Sequence, residues 1–180
     1  MSSYVQRLIG AAKLDAQTYE EVEADSSAMG QAMATVVLAS VASGIGAFTT
    51  LGMRGLLFST LASLVGWFVW AGLTFFVGTK ILPEPQTQSD MGELLRTIGF
   101  AASPGLLQVF GFLPLVGPLV GLVTSVWMLA AMIVAVRQAL DYKSTGRAVG
   151  VCLIGFVVYI VVVFAVSLVF GMGAAAMGAF

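Results

Sequence analysis

The chain has 180 residues, of which 59% are hydrophobic and 9% charged, with a formal net charge of −1 and a mean hydropathy of +1.00. Soluble domains carry about 25% charge, so 8 basic and 9 acidic residues exclude a water-soluble enzyme, a disordered tail and a disulfide scaffold. With no His and one Cys, Cys152, metal and haem sites of ordinary ligand type and a His-based triad are excluded, and the near-neutral balance leaves no basic surface for nucleic acid.

Residues 1–28 form a polar leader to the apolar remainder, 29–180. Val5, Leu8, Ile9 and Ala12 fall at i, i+3, i+4 and i+7 with Arg7 and Lys13 beside them, a pattern that suits an amphipathic helix lying in the membrane interface. Thr18 and Glu21 have capping-box spacing, so a second short helix is expected to start at Thr18. Tyr19, Glu20, Glu21 and Glu23 are candidate partner-binding residues; the simpler reading makes the acids a solvated face that favours a helix N-terminus.

The gaps between charges then mark the spans. Residues 26–53, 55–79, 97–136 and 148–180 carry no charge, and a helix needs about 20 apolar residues to cross a bilayer core. The third gap is too long for one helix. Leu113-Pro114-Leu115-Val116-Gly117-Pro118 reads as a turn within it. Five spans follow, at about 29–50, 55–79, 97–113, 119–136 and 148–171. The expected fold is an all-α integral membrane protein, a bundle of five transmembrane helices; no stretch alternates as a membrane barrel strand would. The 80–96 loop starts extended at Pro83 and Pro85, and Asp90 with Glu93 offers a capping pair into a helix carrying Leu94 and Leu95. Ser144 or Thr145 is placed to cap the last helix.

Lys and Arg set the orientation. Arg7, Lys13, Lys80, Arg96, Arg137, Lys143 and Arg147 share one side in a five-span chain, against Arg54 on the other. That places the N-terminus inside and the C-terminus outside. The third segment is the weakest span, because it is short and Pro104 is expected to kink it; a re-entrant path there is the alternative.

No charge lies clearly within a span, which argues against an ion-coupled transporter. Gln108 is the most costly polar residue inside and needs a partner; Ser103, Pro104 and Gln108 are candidates for a kink or the rim of a small cavity. Gly117 with Gly121, and Gly146 with Gly150, have the four-residue spacing that lets helices approach closely. Cys152 reads as a small buried hydrophobe. No phosphate-binding loop, nucleophile elbow or paired-carboxylate arrangement occurs, so no catalytic residue, cofactor or metal is assigned.

Four segments carry a family resemblance: Thr18-Tyr19-Glu20-Glu21-Val22-Glu23-Ala24-Asp25 ahead of the spans, Glu93-Leu94-Leu95-Arg96-Thr97-Ile98-Gly99-Phe100-Ala101-Ala102-Ser103-Pro104 into the third, Leu113-Pro114-Leu115-Val116-Gly117 at the hairpin, and Ser144-Thr145-Gly146-Arg147-Ala148 at the last. Over about residues 5–170 the chain resembles the bacterial branch of the Yip-domain family, membrane proteins named for their interaction with Ypt/Rab GTPases. The resemblance implies five spans and a cytoplasmic N-terminus. It also implies a multi-pass protein of a bacterial cytoplasmic (inner) membrane, acting as a non-enzymatic scaffold, adaptor or accessory subunit. Its expected partners are membrane lipids and other integral membrane proteins or a second copy. Rab-type GTPase binding belongs to eukaryotic members with a long cytoplasmic N-terminal region and is not carried over. A small transporter or channel, or a lipid-handling protein, is the competing reading.

Overall fold

The structure, a computed structural model, describes residues 2–46 and 48–177, and every regular element among them is helical. Helix α1, Tyr4–Ala12, opens on a capping box made by Ser3 and Gln6. Helix α2, Ala16–Ala24, is capped by Asp15, whose carboxylate accepts from the Gln17 amide. It therefore starts two residues before Thr18. The Thr18 hydroxyl donates instead to Asp15, at 2.7 Å. A 3-10 turn, Ser26–Ala28, feeds α3, Met29–Gly46. Helix α4, Phe48–Phe76, is broken at Gly52, whose φ of 60° and ψ of −171° lie outside helical space. A side chain would be strained there, so this glycine falls where the sequence places the first connection. A π-helical turn, Val77–Ile81, follows.

The third segment differs from the single kinked helix expected over 97–113. Helix α5, Met91–Ala101, starts earlier, at the Asp90–Glu93 capping box, and gives way to a ten-residue 3-10 helix, Ser103–Phe112, with Pro104 in its first turn. The cause is local. Pro104 has no N–H to give to the α-helical ladder, and its ring crowds the carbonyl four residues back. The amides of Ala102 and Gly105 close i→i+3 bonds instead. The switch also changes reach: eleven α residues at about 1.5 Å and ten 3-10 residues at about 2.0 Å give about 36 Å in all.

The chain turns through Leu113–Val116, where Leu115 has φ 68° and is 97% exposed. Helix α6, Gly117–Ala139, and helix α7, Thr145–Met177, complete the described chain; the expectation for residue 180 lies outside the described residues. Three stretches are long and apolar enough to cross a membrane, Ser26–Gly46, Leu64–Ile81 and Gly117–Ala139, with Thr145–Val161 a shorter apolar helix. Large apolar side chains point outward, among them Leu61, Val65, Leu122, Val126, Val157 and Val161, while the interior holds fully buried alanines at 32, 131, 135 and 139. Large residues outside and small ones between helices suit lipid as the solvent.

Residues 2–28, 80–96 and 137–147, from segments that the sequence puts on one side, gather at one end of the structure. Arg96 reaches α2, Gln138 reaches Glu20, and Arg147 reaches Glu84. At the other end the glycines matter. A Cβ on Gly46 would overlap the Gln108 carbonyl, and one on Gly117 would overlap the Gly111 carbonyl. There α3, the 3-10 helix and α6 touch backbone to backbone. Of the four glycines with four-residue spacing, Gly117 is thus a place of close approach. Gly121 has nothing within 4 Å, and Gly146 and Gly150 meet neighbours only at 3.5 and 3.6 Å.

Candidate functional site

The polar end is built around two buried arginines. Arg7 is 2% exposed, and its guanidinium donates to Glu21 at 2.9 Å, to Asp25 at 2.6 Å and to Gln31 at 3.0 Å. Glu21 also accepts from the amide and hydroxyl of Ser2; these bonds, then Arg7, hold its carboxyl down at about 2. Arg96 is 7% exposed and donates to the carbonyls of Val22 and Glu23. Those are orphan acceptors at the C-terminal end of α2. Trp127 of α6 donates to the Ala12 carbonyl at 2.7 Å, and the Tyr4 hydroxyl lies 3.1 Å from that of Thr35 in α3. The α1–α2 hairpin is thereby latched across α3, α5 and α6.

The burial of Arg7 sets the inward face of α1. Arg7 and Ala11 point inward, and Val5 and Ile9 are 60% and 50% exposed. Two apolar side chains are left facing out.

The four candidate partner-binding residues separate in this frame. Tyr19 is fully buried, and its hydroxyl donates to the Ala11 carbonyl at 3.1 Å. Glu21 is committed to Arg7 and Ser2. Glu20 stays exposed while accepting from Gln138 at 2.8 Å. The half-buried Glu23 carboxyl is pushed up to about 7, first by burial and then by Asp141, Glu93 and Glu20, against the pull of Arg96. Beside them a second latch closes. The Tyr142 hydroxyl lies within bonding distance of the Gly78 and Leu82 carbonyls, at 3.0 and 2.8 Å, and Arg147 pairs with Glu84 at 3.1 Å. Among the described residues, no group of three His, Cys, Asp or Glu side chains is arranged to hold a metal ion.

A cavity of about 340 Å³ lies between α3, α4, the 3-10 helix, α6 and α7. Gln108 lines it, and its amide nitrogen sits 3.9 Å from the Met128 sulfur, a weak acceptor. Gln108 also lines a second cavity of about 310 Å³ with Ser43, Gly121 and Ser125. Ser103 and Pro104 are buried and are not among the residues that line the first cavity, though Ala102 and Gly105 on either side of them are; the Ser103 hydroxyl has no partner among the described residues. Trp67 and Trp70 line the same wall but differ. The Trp67 indole donates to the Leu95 carbonyl at 3.1 Å, whereas the Trp70 indole N–H finds no acceptor among the described residues.

Sequence reasoning singled out Gln108 and the acids but not Arg7, Arg96 or Tyr142. A lone arginine inside an apolar stripe is the signal that was present for Arg7. Its partners lie 14 and 18 residues away, beyond any helical spacing, so no local pattern pairs them.

A family model described as the Yip1 domain matches residues 15–166. No curated protein and no solved structure matches the chain.

Proposed function

The chain belongs to the Yip1-domain family, and from that premise we infer that this helical, apolar membrane protein acts as a non-enzymatic scaffold, adaptor or accessory subunit of a membrane assembly. The observation that carries the reading is the latched polar end. Buried Arg7 and Arg96 fix α1 and α2 against the spans. The exposed Glu20, Asp90, Asp141 and Lys143 are then held in one arrangement before any partner arrives. A preformed surface loses little conformational freedom on binding.

In this reading the chain crosses the membrane five times, with α5 and its 3-10 continuation as the third crossing. The polar end lies on the cytoplasmic side of a bacterial inner membrane, where the basic residues of its three segments favour it. The partners are integral membrane proteins or a second copy, approached from the lipid, and no Rab-type GTPase is among them.

The test is a photo-crosslinking amino acid placed at position 20 or 141 in cells. A discrete protein adduct from position 20 that disappears on the charge reversal Asp141→Lys while thermal stability is kept supports the reading. Adducts to lipid alone from both positions would contradict it.

A further inference from the structure

We propose that α1 lies in the plane of the membrane about halfway along α3 and α6, with Val5 and Ile9 against lipid acyl chains and Gln6 and Lys13 among the headgroups, and that the hydrocarbon layer is thinned on this side of the molecule. The proposal rests on α3 and α6 crossing the membrane. It goes beyond the adaptor reading, which leaves the depth of α1 open.

The first support is the level at which α1 is tied down. Gly46, Gly111 and Gly117 meet at the end away from the charges. Tyr4, at the start of α1, meets Thr35 of α3, and the carbonyl of Ala12, at its end, accepts from the Trp127 indole of α6. Thr35 stands eleven residues from Gly46, and Trp127 stands ten from Gly117. At about 1.5 Å per residue, both ends of α1 therefore lie about 15 to 16 Å from the glycine contact. Equal levels at its two ends lay α1 across the bundle rather than along it. That level is about half of a hydrocarbon core of about 30 Å. On this side the polar end thus reaches well down the spans, and α1 touches the 3-10 helix, which lies beyond α5 from the polar end.

The second support is how the surface of α1 is divided. Arg7 and Ala11 point into the protein, with Tyr4 and Leu8 half-buried beside them. At about 100° per residue, Val5 and Ile9 form one outward sector, and Gln6 and Lys13, both exposed, form the next. On α6, Val126 and Leu129 flank Trp127 and are 61% and 56% exposed, so the apolar sector of α1 lies at a level where α6 also turns large apolar side chains outward. The solvent at that level of a membrane is lipid. The polar sector borders a groove of about 440 Å³ that Gln6, Lys13, Asp15 and Thr18 line together with Ile9. Apolar and polar sectors side by side are the mark of a helix lying in the interface. Charges such as Lys13 and Asp15 are costly in hydrocarbon. With Trp127 holding the end of α1 partway along a span, headgroups must come inward to meet them, and a bilayer accommodates a short apolar length by thinning.

The experiment uses the full chain with Cys152→Ser in phospholipid vesicles. A nitroxide is attached to single cysteines replacing Val5, Gln6, Ile9, Lys13, Leu129 or Lys143. All six side chains are exposed, so the label displaces no packed group. Collisions are measured with oxygen, which partitions into lipid, and with a water-soluble nickel chelate. Positions 5 and 9 are expected to shift towards oxygen with position 129, and positions 6 and 13 towards nickel with position 143. Alternation between 5, 6, 9 and 13 reads out an in-plane helix, and water access at 13 beside lipid at 129 reads out the thinning. Nickel access at 5 and 9 would place α1 in water and overturn the proposal. Weak collision with both reagents there would mean that protein covers the face, and oxygen access at all four positions would mean a submerged helix in a bilayer of full thickness; each also overturns it. Nickel access at 129 would remove the span on which the proposal rests, so failure of that premise is told apart from failure of the placement of α1.

Discussion

Arg7 concentrates the energetics of the polar end in one side chain. A guanidinium 2% exposed, with carboxylates at 2.9 and 2.6 Å, gains from its pairs roughly what it loses in solvation. Removing Arg7 is different, because Glu21 and Asp25 are then left side by side without their shared cation. Arg7→Met should lower the thermal midpoint in detergent. Combining it with Glu21→Gln and Asp25→Asn should recover part of that loss. If the triple variant is no better than the single one, the network is not a charge-balanced unit. Glu23 acts in the opposite sense. Its pKa is raised from 4.5 to about 7, so the folded state prefers the protonated form. Stability from this group is complete below pH 4.5 and falls as pH rises towards 7. Glu23→Gln should leave the midpoint near pH 5 little changed, raise it at pH 8, and flatten the profile between. Glu21, held at about 2, contributes above pH 4.5 and loses its contribution only as pH falls towards 2, so the two groups separate on the pH axis.

Among the elements, the third segment gains most from being seen. Its existence was legible from the length of the 97–136 gap, and its turn from Pro114 and Pro118. Its form was not. A proline announces that a helix is interrupted, but whether the chain kinks or continues as 3-10 depends on what lies alongside. Here the backbone of Gly111 must meet Gly46 and Gly117. The longer rise of the 3-10 helix carries it there. The glycine pairs were legible only as spacing, and spacing does not separate Gly117, whose Cβ would overlap a carbonyl, from Gly121, which faces open space. Gly117→Leu should cost about 1–3 kcal/mol by overpacking, and Gly121→Leu, which projects into the second cavity, should be near neutral. Equal losses in detergent melting would show that the backbone contact at Gly117 is not what the site requires. Pro104→Ala restores an α-helical donor. It should shorten the segment by extending α5, pulling Gly111 off Gly46 and lowering the midpoint.

The whole molecule has a polar end and an apolar body, and charge patterning alone was enough to read that. Every segment bearing Lys or Arg, apart from Arg54, belongs to the end where α2, the 82–90 loop and the α6–α7 connection interlock. What the pattern leaves out is the interlocking itself, since a buried arginine and a solvated one look alike in a sequence. The proposed function depends on this end being on one side of the membrane and the Leu113–Val116 turn on the other. The most direct test is cysteine accessibility in a Cys152→Ser background. Single cysteines replace Ser2, Lys143 and the 97%-exposed Leu115, and intact cells are treated with a membrane-impermeant maleimide. The five-span arrangement predicts that Leu115→Cys is labelled at once and that Ser2→Cys and Lys143→Cys are labelled only after the membrane is opened. Labelling of position 143 together with position 115 in intact cells would contradict it.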